Sequence, residues 1–227
     1  MGIVGRWLSA GLASVIGVAL TGCGSDVGGG GGSECAPAAA LAVSPHSVDS
    51  SSRYIDGSLP SMLGLSRSAV VGTVSAAAVD DEDGRGLRDG RVALSDTSVV
   101  WRNPATRTAP PDGEVVADYL ATSSDDESAR ICTGDRVLVL LTQPERATAD
   151  PPVHLAQVAY PLVDGEITAH EGGADAPTAL AGIAEGDLGA ALTKAEADIP
   201  DPLSKVIDLP MDERLVELDT AEASSPG

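Results

Sequence analysis

Imidazoles, paired carboxylates and thiols are the groups in this chain that could do chemistry, and their spacing decides which chemistry. The three histidines, His46, His154 and His170, stand far apart, and no serine sits in a G-x-S-x-G turn. Spacing therefore supplies no nucleophile with its base. His154 lies in the apolar stretch Val153-His154-Leu155-Ala156 and reads as a surface histidine or a satisfied barrel histidine. His170 could pair with Asp164 or Glu166. No C-x-x-C, H-x-H or H-E-x-x-H occurs, which removes the common zinc patterns. Acids cluster twice, at Asp80-Asp81-Glu82-Asp83 and at Asp125-Asp126-Glu127. Asp80, Asp81 and Asp83 are the candidates for a calcium ion. Arg85, however, occupies the fifth position of a loop whose sixth would be Gly86, where an EF-hand needs an acid, and runs of like charge usually stay solvated. The expectation is a wet loop, with no metal or other cofactor. A carboxylate pair for glycoside hydrolysis would need a groove with aromatic platforms, and aromatics are few. Trp101 beside Arg102 is the one candidate ligand surface, with a core tryptophan as its alternative.

The cysteines carry more. Trp7 to Leu20 is an uncharged apolar run behind Arg6, too short for a permanent membrane span and suited to a secretory signal. It ends in Leu20-Thr21-Gly22-Cys23. These four residues resemble a bacterial lipobox; the alternative is an ordinary signal peptide with a chance cysteine. The resemblance implies removal of residues 1–22 and attachment of diacylglycerol to Cys23, with the protein held at the outer face of the cell membrane. Two acyl chains hold stably where one does not. Cys35 and Cys132 remain. Outside the cytoplasm they could form a disulfide across nearly a hundred residues, or Cys35 could stay free or pair between molecules.

The formal net charge is −20, and loss of Arg6 with the signal makes it more negative by one. That charge argues against nucleic acid and against attraction to anionic headgroups. The expected partners are membrane lipid, through acylated Cys23, and an envelope protein. Twelve arginines against two lysines, with no phenylalanine, suggest a high-GC genome rather than a chemical function.

The elements that would position these groups follow a clear order. Gly24 to Ser33 (GSDVGGGGGS) is a flexible tether with a root-mean-square span of about 15–20 Å. Residues 23–56 comprise the lipidated cysteine, this tether and a lead-in. Leu59, Met62 and Leu63 predict one or two helical turns, and Ala69 to Val74 a strand. Asp80 to Gly90 reads as a long loop. Strands are expected at Arg91 to Leu94, Thr97 to Arg102, Glu114 to Ala121 and Val153 to Tyr160, the last ending at Pro161. Arg136 to Thr142 (RVLVLLT) reads as a strand buried on both faces. Asp164-Gly165 marks a hairpin turn into 166–170. Glu185 to Ala197 has helical spacing. Residues 198–227 read as a Pro- and acid-rich tail with a short helical turn through Met211, Leu215 and Leu218.

This pattern predicts a mostly β fold: a small antiparallel OB-like barrel or sandwich, with a short N-terminal helix and one C-terminal helix, over residues 57–197. The succession AVVGTV, Thr97-Ser98-Val99, Glu114-Val115-Val116, Gly134 to Leu141 (GDRVLVLL) and Leu162 to Glu166 resembles a group of uncharacterised bacterial extracytoplasmic proteins with small OB-like barrels. The resemblance implies a five- or six-stranded closed sheet and a terminal helix, and no activity. The expected function is a lipid-anchored binding or structural module of the cell envelope. The alternative is a metal-dependent or hydrolytic envelope enzyme using the acidic loops.

Overall fold

The computed structural model describes residues 35–37, 54, 57–79, 87–122, 130–146, 152–168 and 179–224. The strands are β1 (Cys35–Pro37), β2 (Ser68–Val79), β3 (Leu87–Arg102), β4 (Val115–Thr122), β5 (Arg130–Cys132), β6 (Arg136–Arg146), β7 (Val153–Val163) and β8 (Glu166–Ile167). The helices are α1 (Leu59–Leu65), α2 (Leu188–Glu196), α3 (Asp201–Val206) and α4 (Met211–Ala223). No described helix is long and apolar enough to cross a membrane.

β2, β3 and β4 pair in antiparallel succession, and β6 returns to the free side of β2. β7 pairs antiparallel with β6 and then parallel with β4, through Val116 opposite Val153 and Ala117 opposite His154. That last ladder closes five strands into a barrel, so the sandwich alternative does not apply. β8 adds a short antiparallel flap to β7 across the turn Asp164-Gly165, where both residues have positive φ, 53° and 82°.

Strand alternation sets what faces inward. Val70, Val74, Val137, Val139 and Leu141, which the two-residue period puts on one face, all line the interior cluster. The intervening Val71, Leu138 and Leu140 face outward into a second cluster beneath α1 and α2, with Val158, Tyr160 and Leu162. The apolar run of β6 is thus covered on both faces. Ser58 caps α1 by accepting from the Ser61 amide, and Pro60 sits in the first turn, where a missing N–H costs little. Gly64 lets α3 approach closely: a Cβ there would lie 2.6 Å from Leu203 Cδ1.

One end of the barrel is plugged. β1 and β5 form a two-stranded ribbon in which Cys35 faces Cys132, and the two sulfurs are bonded. Ala36 and Ile131, both 0 % exposed, join the interior cluster.

Four expectations need correction. Residues 87–90 are not loop but the start of β3, which runs without a break through Ser95 and Asp96 instead of forming two strands. Asp96 takes φ 48°, which Asp tolerates, and the register shifts around it absorb the irregularity. β7 runs past Pro161 to Val163; its ladder with β8 begins only at Leu162, so the proline costs that ladder no bond. Finally, three helices rather than one follow residue 185, and residues 201–223 are no tail. Leu203, Val206, Ile207 and Leu218 are buried there, and Arg214 is 0 % exposed.

Candidate functional site

The end of the barrel opposite the plug is spanned by the β3–β4 connection, and side chains hold this connection at both ends. Asn103 Oδ1 accepts from the Ala105 amide at 2.9 Å, while Asn103 Nδ2 donates to the carbonyls of Leu63 and Ser66 at 3.1 Å each. Thr106 Oγ1 donates to Asp208 Oδ1 at 2.7 Å, and Asp208 Oδ2 accepts from the Arg107 amide at 3.0 Å. Arg102 donates to the carbonyls of Thr106 and Thr108. Farther on, Thr97 Oγ1 donates to the Gly113 carbonyl at 2.5 Å. Between these ties, Pro110 and Pro111 restrict φ. The connection is an arch with fixed feet.

Under the arch lies a cavity of about 210 Å³, lined by Thr108, Ala109, Pro111, Asp112, Glu114, Pro152 and His154. A narrow extension of about 20 Å³ continues past His154 to Arg67, Ser68, Leu141 and Thr142. His154 is half-buried, and its ring has no hydrogen-bond partner among the described residues. Burial, and secondly the Arg67 charge, lower its pKa, so the imidazole is neutral at neutral pH. Arg67 is itself engaged, by the carbonyls of Ile207 and Asp208 at 3.3 Å and by Asp208 Oδ1 at 3.9 Å. Asp112 and Glu114 are exposed and form no ion pair with a described residue. The site can therefore accept hydrogen bonds and positive charge, with apolar walls from Ala109 and the two prolines.

A larger groove, about 440 Å³, runs between α1 and α2 past Leu59, Leu180, Ile183 and Ala191, with Lys194 and Asp198 as its charged residues. Tyr160 Oη and Gln157 Oε1 are buried without a partner among the described residues, and neither borders the barrel-end cavity.

The residues singled out from sequence fall elsewhere. Trp101 is 4 % exposed, belongs to the cluster beneath α2 and donates through Nε1 to Glu196 Oε2 at 2.8 Å. It is a core residue, not a ligand surface. Arg102 is exposed and ties the arch. Cys35 and Cys132 form the plug at the far end. Cys23, His46, His170, Asp80, Asp81, Asp83 and the second acidic cluster lie outside the described residues. Among the described residues no three His, Cys, Asp or Glu side chains group as a metal site. Sequence reasoning passed over Thr108, Asp112, Glu114 and Pro152, because spacing along the chain does not bring two segments some forty residues apart together. The one signal was His154 itself, a polar residue in an otherwise apolar strand.

Comparison with family models, with curated proteins and with solved structures finds no match.

Proposed function

We propose that this chain is a lipid-anchored extracytoplasmic binding module, built on an OB-like barrel and presenting the arched end of that barrel to another envelope component. The OB-like reading is supported by the connectivity. β6-β2-β3-β4 has the spatial order of a Greek key, and β7 closes the fifth side. OB folds bind ligands on their barrel surface and flanking loops, and fold analogy alone says nothing of the ligand. The anchor is supported by the Leu20-Thr21-Gly22-Cys23 succession behind an apolar run.

The observation that carries the reading is the register of β6 and β7. Arg136, four residues after the end of β5, pairs with Leu162, whereas His154 pairs with Pro144 at the other end of the same ladder. The two ends are about 26 Å apart along β7 at the usual rise per residue. Cys35, in the plug, lies twelve residues beyond Cys23. In sequence, an anchor at Cys23 would join the barrel through its plugged end rather than its His154 end. The enzyme alternative rests on acidic residues outside the described ones, and no feature of the described residues favours it.

Replacing Cys23 by Ser should abolish acyl labelling and release the protein from membranes. Persistent acyl labelling of the variant, or membrane attachment unchanged by it, would remove the anchor from the account.

A further inference from the structure

We propose that the Cys35–Cys132 disulfide is a shackle: it fastens the membrane tether to the barrel and so sets how far the barrel can stand from the lipid surface. A dithiol that reduces the bond lengthens that reach. This deepens the preceding section and rests on Cys23 being the anchor.

The two strands that the bond joins are held very differently. β5 continues into a turn fastened to β2: the Gly134 amide donates to the Val74 carbonyl at 2.8 Å, and the Val74 amide donates to the Asp135 carbonyl at 2.8 Å. Asp135 Oδ2 also accepts from the Cys132 amide at 2.7 Å. Cys132 therefore sits on the frame of the barrel. β1 is three residues long, and its ladder is with β5 and no other described strand. Ala36 adds one buried methyl. Ordering three residues costs more conformational entropy than a short ladder and one methyl return, so the covalent bond, not the pairing, keeps β1 in place. Tension on the tether runs from Cys23 to Cys35, across the sulfurs to Cys132, and through the 132–135 turn into β2.

The consequence is geometric. Cys35 lies twelve residues beyond Cys23, which at full extension limits the reach to about 40 Å while the bond is closed. The next hold among the described residues is at Tyr54, thirty-one residues beyond Cys23, whose carbonyl accepts from Ser61 Oγ at 2.8 Å. With the bond open, the same limit rises to about 105 Å. Both cysteines are partly exposed, so the bond is open to attack by a thiolate. One thiol of the dithiol attacks a sulfur as thiolate, and the other resolves the mixed disulfide. Two electrons and two protons pass to Cys35 and Cys132, and the reductant is left as its own disulfide.

The test uses the lipidated protein in vesicles with an acceptor dye on their headgroups and a donor at residue 163, which is 53 % exposed at the plugged end. Energy transfer is read before and after dithiothreitol, and Trp101 fluorescence reports whether the barrel stays folded. The expected result is a fall in transfer on reduction with Trp101 unchanged, and the same low transfer in Cys35→Ser/Cys132→Ser. Transfer unchanged by reduction would overturn the proposal. A second protein keeps both cysteines and has a protease site inserted after Ser50, so that it is cut between the tether and Tyr54. Cutting should leave the barrel on the vesicles with its transfer unchanged, and dithiothreitol should then release it into solution. Release on cutting alone, or retention after cutting and reduction, would also overturn the shackle, and this arm decides even where reduction unfolds the uncut protein. Acylation of Cys23 is read separately by mass spectrometry. An unacylated barrel that stays on membranes fails the anchor reading, whereas an acylated one that shows none of these changes fails the shackle alone.

Discussion

Arg214 is the residue on which the C-terminal helices turn. Its guanidinium has no carboxylate in direct contact among the described residues, and it is used as a fork for main-chain carbonyls. Nε donates to Leu209 at 2.8 Å, NH1 to Leu65 at 2.9 Å, and NH2 to Ile207. One side chain so joins the end of α1 to the turn between α3 and α4. Burial, and secondly the Arg67 charge, push its pKa down to about 10, with Asp208 opposing, so it stays charged at neutral pH. Arg214→Met would keep the apolar volume and orphan the carbonyls of Leu209 and Leu65, while Ile207 keeps its bond from Arg67. Each buried unsatisfied acceptor costs about 1–3 kcal/mol, while removing a buried charge returns part of that. The expected net loss is about 3 kcal/mol in chemical denaturation, and unchanged stability would contradict this role. Arg214→Lys should recover only part, since an ammonium cannot reach three divergent carbonyls from the fork position. Nothing local in Asp212-Glu213-Arg214-Leu215 distinguishes this arginine from a surface one; its role comes from Leu65, 149 residues away. The same holds for His154, whose alternation on β7 was legible but whose arch was not.

At the scale of elements, periodicity read well wherever a strand had one inward face and enough length. The five interior positions on β2 and β6 follow from a period of two, as does the hairpin at Asp164-Gly165. Errors arose where residue types that usually break structure are used within it. Gly90 reads as a loop residue, yet it lies in β3 under the Tyr119 ring, where a Cβ would come within 2.6 Å. Pro200 and Pro210 read as parts of a Pro- and acid-rich tail, yet they occupy the N-cap positions of α3 and α4, and Pro202 lies in the first turn of α3. Proline is compatible with a helix start, so these residues mark beginnings rather than breaks. β1 and β5, three residues each, are too short for any periodic signal. They matter through their disulfide, whose sequence separation is 97. On the chain-entropy model, closing such a loop contributes about 4–5 kcal/mol. Replacing Cys35 and Cys132 by Ser together should lower the unfolding free energy by about that amount, read as a reduced urea midpoint. An unshifted midpoint would show that the plug is held by Ala36 and Ile131 alone.

For the whole molecule, the two ends of the barrel are built differently. One is closed by a covalently bonded ribbon and leads back through residues 24–34 to Cys23. The other is arched over a depression lined by Asp112, Glu114 and His154. The helices cover one side of the barrel between these ends and are tied to it by ion pairs and buried carbonyl bonds, including Arg136 to Glu185 at 2.6 Å. The central claim is that the plugged end faces the membrane and the arched end faces away. Energy transfer tests it directly: a donor dye is placed at residue 133, beside the plug, or at residue 109, on the arch, of the lipidated protein in vesicles carrying an acceptor on their headgroups. The account predicts stronger transfer from residue 133 than from residue 109, and loss of both when Cys23 is replaced by Ser. Equal transfer from the two positions, stronger transfer from residue 109, or transfer that survives the Cys23 replacement would contradict it.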